Sequence, residues 1–231
     1  MADLLAIPVL ALDGPSGTGK GTVGNRIARM RGWNLLDSGA LYRAFAFAAN
    51  EYGISPDDVG GLQSLNRRVT LEFIRTDLGE VEILIDGQNV SDILRGERGG
   101  RLASRYAAVP EVRAVLMKRQ RSEQREPGLV ADGRDMGTVV FPDAVLKVFL
   151  TANPEIRAKR RYNQLKEKDF DVNLRRLEIE IAERDRCDAN RAVAPLEPAA
   201  DAVILDTSRR SSEEVVEEVD KLLTVRLQEL N

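Results

Sequence analysis

The feature that most constrains the fold of this chain is an apolar run that leads into a glycine-rich loop. The run covers residues 6–12, and residues 13–22 read Asp-Gly-Pro-Ser-Gly-Thr-Gly-Lys-Gly-Thr. The pattern predicts a buried strand, a tight loop and the start of a helix. Glycines have no side chain to block the approach of an anion to the backbone N–H groups, and a helix N-terminus adds positive potential. With Lys20 as a point charge for the outer phosphates, the stretch predicts a nucleoside triphosphate site.

One position departs from the general form of this loop, because Gly21 stands where a Ser or Thr hydroxyl would bind Mg²⁺ directly. The ending Gly-Lys-Gly-Thr resembles that of nucleoside monophosphate kinases and not that of GTPases or motor ATPases. The alternative interpretation is a glycine-rich turn with an incidental lysine, and the flanking strand and helix patterns argue against it. Lys20 lies at the junction of loop and helix, where we expect it to have no packing role.

The composition excludes several kinds of site. The 231 residues include no histidine, which excludes imidazole proton transfer and His-ligated metals. Cys187 is the only cysteine, so an intrachain disulfide is excluded and a reducing cytoplasm fits. The net charge of −3 argues against bulk binding to nucleic acid or anionic membranes. No apolar stretch approaches the ~20 residues that span a bilayer, and the N-terminal run lacks the basic segment of a signal peptide.

Short, continuous apolar runs alternate with helical patterns, and the length suits one domain or one domain with an insert. The predicted strands cover residues 6–12, 33–36, 129–131, 145–150 and 202–205. The predicted helices cover residues 20–31, 40–51, 111–125, 154–167, 173–187 and 212–230, the last with a capping box at Ser211 and Glu214. The alternation predicts an α/β fold with a five-stranded parallel sheet covered by helices. Three runs lead into Asp13, Asp37 and Asp132, at the strand ends where such sheets bind ligands.

One region breaks the alternation. Residues 69–75 and 81–86 have period-two character, and the loop 76–80 between them contains a glycine. Asp86-Gly87 predicts a second turn. We therefore expect a small antiparallel β insert at roughly 63–100.

Two motifs follow predicted strands. In Leu-Asp-Ser-Gly-Ala-Leu-Tyr-Arg, residues 36–43, Ser38 lies where strand passes into helix and Arg43 lies about one turn later. The alternative there is an ordinary N-cap with a surface arginine. Residues 131–137 place two acids and an arginine after a buried strand, and Asp132 could reach a hydrated Mg²⁺ through water. The alternative is a charged loop held by its own salt bridge.

The stretch 155–191 is rich in charges of both signs. If it stays helical, Arg184, Asp188 and Arg191 share one face. A second face carries the three arginines Arg157, Arg160 and Arg161. A solvated helical hairpin and a mobile lid that brings arginines onto phosphates are both consistent with this pattern, whereas the near balance of charge disfavours a nucleic-acid surface.

Together these motifs resemble the bacterial cytidylate kinases, a family of P-loop nucleoside monophosphate kinases, over essentially the whole chain. The most specific stretches are residues 14–22, 36–43, 131–144 and 190–196, the last reading Asn-Arg-Ala-Val-Ala-Pro-Leu. The insert at 63–100 also matches, because this family enlarges its monophosphate-binding region there. The resemblance implies one P-loop kinase domain over residues 1–231, with a short helical lid at 155–191.

The resemblance also implies roles for individual residues. ATP would bind the loop Gly14, Pro15, Ser16, Gly17, Thr18, Gly19, Lys20, Gly21 and Thr22, with Mg²⁺ held through phosphates and water. The CMP phosphate would bind Arg43, Arg134 and Arg191, and the ribose would bind Arg184 and Asp188. The cytosine would be read by Ser38, Ser104, Arg113 and Asp135, of which Ser104 and Arg113 lie in a weak motif. The lid arginines would be Arg157, Arg160 and Arg161, and the catalytic cations Lys20, Arg134, Arg160 and Arg191.

The implied reaction is phosphoryl transfer from ATP to CMP or dCMP by a cytoplasmic monomer without nucleic-acid or membrane partners. A kinase for UMP or AMP is the nearest alternative. A P-loop switch protein is expected to have Ser or Thr after Lys20, and a GTPase is also expected to have an Asn-Lys-x-Asp motif. Neither feature is present in this sequence. A nucleotide-binding module without turnover is a further alternative.

Overall fold

The structure is a computed structural model that describes residues 7–75, 81–95, 97–167 and 169–230, with the backbone alone at residues 75, 95, 97 and 98. The described residues form two compact units. We call Ser38–Arg119 the inserted unit, and the described residues up to Asp37 and from Gln120 onward the sheet unit. The insert predicted at 63–100 lies within the inserted unit.

The sheet unit is built on parallel strands. They are β1 (Val9–Asp13), β2 (Asn34–Asp37), β6 (Leu129–Asp132), β7 (Leu146–Thr151) and β8 (Val203–Asp206). Within the described residues these five strands form one sheet in the order β2-β6-β1-β7-β8, which confirms the predicted architecture. Each strand ends one residue later than its apolar run, because a polar last residue can still pair its backbone with the neighbouring strand.

Helices cover this sheet. They are α1 (Lys20–Arg31), α7 (Pro154–Lys166), α8 (Leu174–Ala189) and α9 (Ser212–Glu229). The predicted capping box of α9 is confirmed, since Ser211 and Glu214 exchange hydrogen bonds. Helix α9 packs on α1 and β7. No helix among the described residues is both long and apolar enough to cross a membrane.

The strand order places a crevice between β1 and β6. The chain leaves β1 through α1 toward β2 on one side, and it leaves β6 toward β7 on the other. Ligands of open α/β sheets bind at the carboxyl ends of strands where the connections diverge in this way. Asp132 lies in register with Leu12 of β1 and with Asp37 of β2, so the three strand-end acids share this edge, as predicted.

The inserted unit combines helices with a small sheet. Its elements are α2 (Ser38–Glu51), α3 (Val59–Arg68), β3 (Leu71–Arg75), β4 (Val81–Ile85), β5 (Gln88–Asn89), α4 (Ser91–Arg95), α5 (Glu97–Ala107) and most of α6 (Pro110–Ser122). Among its described residues, the strands pair antiparallel in the order β3-β4-β5, which confirms the predicted hairpin and the turn at Asp86-Gly87. The predicted loop 76–80 lies outside the described residues.

The helices α3, α4 and α5 were not predicted from the sequence, and α6 ends three residues earlier than predicted. Residues from α2, α3 and α5 form one buried cluster, which contains Phe45, Leu62 and Ala103. Short helices of this kind depend on such packing rather than on local propensity. Helix α6 stops before Pro127, whose ring disfavours helical backbone in the preceding residue.

The fully buried Leu10 of β1 supplies a test of the sheet-unit core. Leu10→Ala should lower the free energy of unfolding by about 2–5 kcal/mol, because it leaves a cavity between packed layers. Ile204→Ala on β8 is the control, since Ile204 is 59% exposed and the change should stay within about 0.5 kcal/mol. Urea unfolding followed by fluorescence of Trp33, the only tryptophan, measures both. Equal losses in the two variants would contradict this assignment of the core.

Candidate functional site

The loop between β1 and α1 has the geometry of an anion cradle. Gly14 has φ +138°, and a Cβ there would collide with the carbonyl oxygen of Leu150. Gly19 has φ +96° and caps α1 without a side-chain hydrogen bond. The first N–H groups of a helix have no partner within the helix, so those at the start of α1 are available to phosphate oxygens.

Lys20 begins α1 and is only 6% exposed. Its Nζ donates to the carbonyl oxygen of Pro15 at 2.9 Å. The expectation that Lys20 has no packing role is therefore wrong, because its side chain is buried and its amine folds back onto a carbonyl of the preceding loop. Burial lowers the pKa of Lys20, and the nearby Arg134 lowers it further. An anion bound in the cradle would oppose both effects and favour the charged amine.

Asp13 joins the phosphate loop to the loop after β6. Its carboxylate accepts the backbone N–H groups of Met136 and Gly137, each at 2.8 Å. Burial raises the pKa of Asp13 to about 6, although these two hydrogen bonds favour the charged form. Sequence reasoning singled out Asp13 as a strand end and gave it no role. The signal was an acid that terminates a fully buried strand.

The residues after β6 form a π-helical turn, Met136–Val140. Asp135 precedes this turn and is buried, and its carbonyl oxygen accepts the N–H groups of Val139 and Val140. Short π-helical segments are often found at functional sites. Holding the backbone of this turn fixes the direction in which Arg134 and Asp135 leave the sheet.

Asp132 lies beside the start of α1, where a Cβ on Gly21 would be 3.5 Å from its Oδ2. Burial raises the pKa of Asp132, the charge of Lys20 opposes this rise, and the charge of Asp37 adds to it. Within the described parts of the chain, no group of three or more Asp, Glu, His or Cys side chains is arranged to hold a metal ion. Asp132 thus lies beside the cradle at the start of α1.

Three predicted arginines converge on Asp188, which is completely buried. Arg134 reaches out of its loop to Asp188 at 3.1 Å, Arg184 lies at 4.0 Å, and Arg191 also pairs with it. Burial by itself would raise the pKa of Asp188, but the charges of these arginines outweigh it and hold the pKa below the usual value. Of the residues predicted for the CMP phosphate and ribose, the structure therefore brings together those that belong to the sheet unit. Arg43 belongs to the inserted unit.

Two details of this cluster differ from the predicted pattern. Helix α8 ends at Ala189, so Arg191 lies beyond the helix and contacts Asp188 from the following turn. Arg134 forms an ion pair with Asp188 of α8, whereas the alternative of a self-contained charged loop expected a partner within its own loop.

The predicted lid arginines lie on α7, and two of them contact the phosphate loop from outside. Arg157 is buried and donates to the carbonyl oxygen of Ser16 at 3.0 Å and to Asp185 at 2.5 Å. Arg160 donates to the Oγ1 and the carbonyl oxygen of Thr207 at 3.0 and 2.6 Å. Arg161 is half-buried on the same helix. Helices α7 and α8 pack against each other, and a helical pair of this kind is consistent with both the hairpin and the lid expected for 155–191.

The remaining predicted residues lie in the inserted unit. Ser38 is buried as the first residue of α2, which differs from an exposed N-cap, and Arg43 lies one turn further along. Arg113 of α6 is also buried. Ser104 of α5 has a buried Oγ that forms no hydrogen bond within the described chain. A buried hydroxyl without a partner is costly, which points to a ligand atom as its partner.

The raised pKa of Asp13 predicts a pH dependence of stability. The unfolded carboxyl titrates near 3.8 and the folded one near 6, so the folded state binds more protons between these values. The contribution of Asp13 to stability should therefore fall as pH rises from 4 to 6, by up to about 3 kcal/mol. The control is Asp13→Asn, which cannot ionise, and Trp33 fluorescence in urea at each pH measures both proteins. Parallel pH profiles for the two would contradict the assignment.

Comparisons with known proteins agree with this geometry. The sequence model described as cytidylate kinase matches residues 10–224. A cytidylate kinase of Pseudomonas paraeruginosa (strain DSM 24068 / PA7) is 54% identical over 93% of this chain and 94% of its own length. Cytidylate kinases of Marinomonas sp. (strain MWYL1) and Azotobacter vinelandii are 52% and 51% identical, over 91% and 94% of this chain and 92% and 96% of theirs. With similarity of this extent along nearly every element of the fold, the chain belongs to the cytidylate kinase family.

Proposed function

We propose that the chain transfers the terminal phosphoryl group of ATP to CMP or dCMP, giving ADP and CDP or dCDP. The observation that carries the proposal is the buried Lys20 at a glycine cradle, with Arg134 close enough to lower its pKa. Such a concentration of buried positive charge is unfavourable alone and favourable around phosphates. Membership of the cytidylate kinase family supports the choice of CMP as acceptor.

The residues present suit a magnesium ion carried by the nucleotide. Gly21 offers no hydroxyl ligand, and Asp132 lies close to the start of α1, where a water could bridge it to the ion. Magnesium retains several waters and is commonly held by one or two carboxylates together with substrate phosphates. When bound, it would neutralise charge on the transferred phosphoryl group.

The cluster around Asp188 is suited to the phosphate and ribose of CMP. Arginine guanidinium groups bind phosphate oxygens in a bidentate manner, and Asp188 holds Arg134 and Arg191 in place from behind. Arg184 and Asp188 would contact the ribose, and Arg43 of the inserted unit would add a further phosphate contact. The arginines need no proton transfer to act, which suits a chain without histidine.

The base would be read by Asp135 together with Ser38, Ser104 and Arg113. Cytosine presents an amino group at C4, and a carboxylate accepts its N–H, whereas the C4 carbonyl of uracil would face the carboxylate with opposed lone pairs. The unpaired Oγ of Ser104 supports its assignment, because a polar atom of a base would supply the missing partner. This arrangement favours CMP over UMP.

Catalysis would rest on alignment and charge. The attacking oxygen belongs to a phosphate that is already ionised near neutral pH, so no general base is required. Lys20, Arg134, Arg160 and Arg191 would stabilise the transferred group by their charge. The hairpin 155–191 would act as a lid that excludes water, with Arg157, Arg160 and Arg161 on its first helix. We further propose a cytoplasmic monomer, for which the net charge of −3 offers no bulk attraction to nucleic acid or membranes.

Replacing Lys20 by Met tests the phosphate cradle. Met keeps the buried stem and removes the charge, so turnover should fall on the order of 100- to 1,000-fold, while thermal stability should stay the same or rise. Lys221→Met on α9 is the matched control, because Lys221 is exposed and distant in sequence from the cradle. CDP formation in a coupled ADP-release assay measures both. Near-normal CDP formation by Lys20→Met would remove Lys20 from the catalytic machinery.

Replacing Asp135 by Ala tests base recognition. The activity with CMP should fall and that with UMP should fall less or rise, so the ratio of kcat/KM for CMP to that for UMP should shrink by about tenfold or more. The ratio is measured within one preparation, so partial loss of folded protein cancels. Asp143→Ala, at an exposed position in the same segment, should leave the ratio unchanged. If both activities drop equally, Asp135 only positions its neighbours and the case for CMP over UMP weakens.

A further inference from the structure

The carbonyl groups of the phosphate loop accept hydrogen bonds from the start of α1, from α7 and from the residue after β8. A loop that points its N–H groups at an anion must turn its carbonyl groups outward, and each of these needs a donor. The carbonyl oxygen of Pro15 accepts from Lys20, and that of Ser16 accepts from Arg157. That of Thr18 accepts from the hydroxyl of Thr207 at 2.9 Å.

Thr207 is the first residue after β8 and is only 2% exposed. Its hydroxyl has one proton and two acceptors in reach, the carbonyl oxygens of Thr18 at 2.9 Å and Thr151 at 3.1 Å. The carbonyl of Thr151 already accepts the backbone N–H of Thr207 at 2.8 Å. The hydroxyl can therefore donate to Thr18 over the shorter distance, and in that orientation it holds the last peptide before the N-cap of α1.

The same hydroxyl is an acceptor for Arg160. One guanidinium nitrogen of Arg160 donates to Thr207 Oγ1 at 3.0 Å, and the other donates to the Thr207 carbonyl oxygen at 2.6 Å. A charged donor polarises the hydroxyl and strengthens the bond that the hydroxyl donates onward. A continuous path of hydrogen bonds thus runs from α7 through Thr207 to the phosphate loop, wholly within the sheet unit.

We propose that Thr207 is a positioning residue for the nucleoside triphosphate site. It contacts no substrate itself, and it holds the Thr18 carbonyl outward so that the N–H groups at the start of α1 stay aimed at the phosphates. The proposal rests on the proposed function for the identity of the nucleotide. Loss of the hydroxyl acts on the affinity for ATP and leaves the affinity for CMP unchanged, because the hydrogen bonds of the Thr207 hydroxyl within the described residues go to Thr18, Thr151 and Arg160.

The test compares three changes at or beside Thr207. Thr207→Val keeps the shape and removes the hydroxyl, and Thr207→Ser restores the hydroxyl without the methyl group. Thr151→Val is the matched control, since within the described residues the hydrogen bond of the Thr151 hydroxyl is a long one of 3.5 Å to Leu205. The KM for ATP at saturating CMP, the KM for CMP at saturating ATP, and calorimetric titration with ATP and Mg²⁺ are measured for each.

Thr207→Val should raise the KM and the calorimetric Kd for ATP about five- to tenfold, as expected for one buried hydrogen bond. The KM for CMP should stay within about twofold, and Thr207→Ser and Thr151→Val should resemble the parent chain. Equal changes for both nucleotides, no change for ATP, or the same effect from Thr151→Val would each overturn the proposal.

Two further outcomes concern a variant that does not fold and a parent chain without activity toward CMP. If Thr207→Val does not fold, Thr207→Ala replaces it, and failure of both to fold would assign Thr207 to the fold alone and overturn the proposal. If the parent chain binds ATP but does not phosphorylate CMP, the proposed function fails, while the calorimetric comparison of the variants still decides the role of Thr207.

Discussion

The hydrogen bonds from Met136 and Gly137 to the carboxylate of Asp13 are the contact on which the site depends most. Asp13 is the last residue of β1 and is followed at once by the phosphate loop. The two N–H groups belong to the turn after β6, directly after Arg134 and Asp135. One buried carboxylate therefore holds together the loop suited to a triphosphate and the residues suited to a monophosphate. Phosphoryl transfer needs this kind of fixed alignment, since a displacement of about 1 Å is costly.

The site contains charged groups of both signs whose charged forms are disfavoured by burial. The pKa values of Asp13 and Asp132 are raised and that of Lys20 is lowered, with burial as the largest cause in each case. A protein that only needed stability would replace such groups with apolar ones. Bound phosphates and a magnesium ion would change the balance, because they would give the buried amine an anion and the buried acids a cation. Under the proposed function, the charges that burial disfavours would thus become favourable contacts to the nucleotide.

Much of this architecture could be predicted from local sequence, and the exceptions share a physical cause. Continuous apolar runs and the glycine loop are read from neighbouring residues alone, so the sheet, the cradle and the strand-end acids were predictable. The cluster at Asp188 was predicted only in part, because Arg134 joins it from far along the chain. The burial of Lys20, the roles of Asp13 and Thr207, and helices α3 to α5 depend on tertiary contacts with distant segments. The pattern of apolar and polar residues within a segment does not show which distant segments it will contact.

The proposed catalytic role of Arg160 would add a second task to its contact with Thr207, and its chemistry allows both. In the structure it donates to both oxygens of Thr207, and one nitrogen also lies 3.5 Å from the carbonyl of Gly17. A guanidinium group has five N–H donors, and the contacts to Thr207 use two of them. The remaining donors can meet phosphate oxygens while Arg160 stays anchored to Thr207. A lysine would carry the same charge, but it lacks the planar fork that addresses two partners in fixed directions. Anchoring therefore removes conformational freedom from the cation before the phosphoryl group is transferred, which lowers the entropic cost of aligning it.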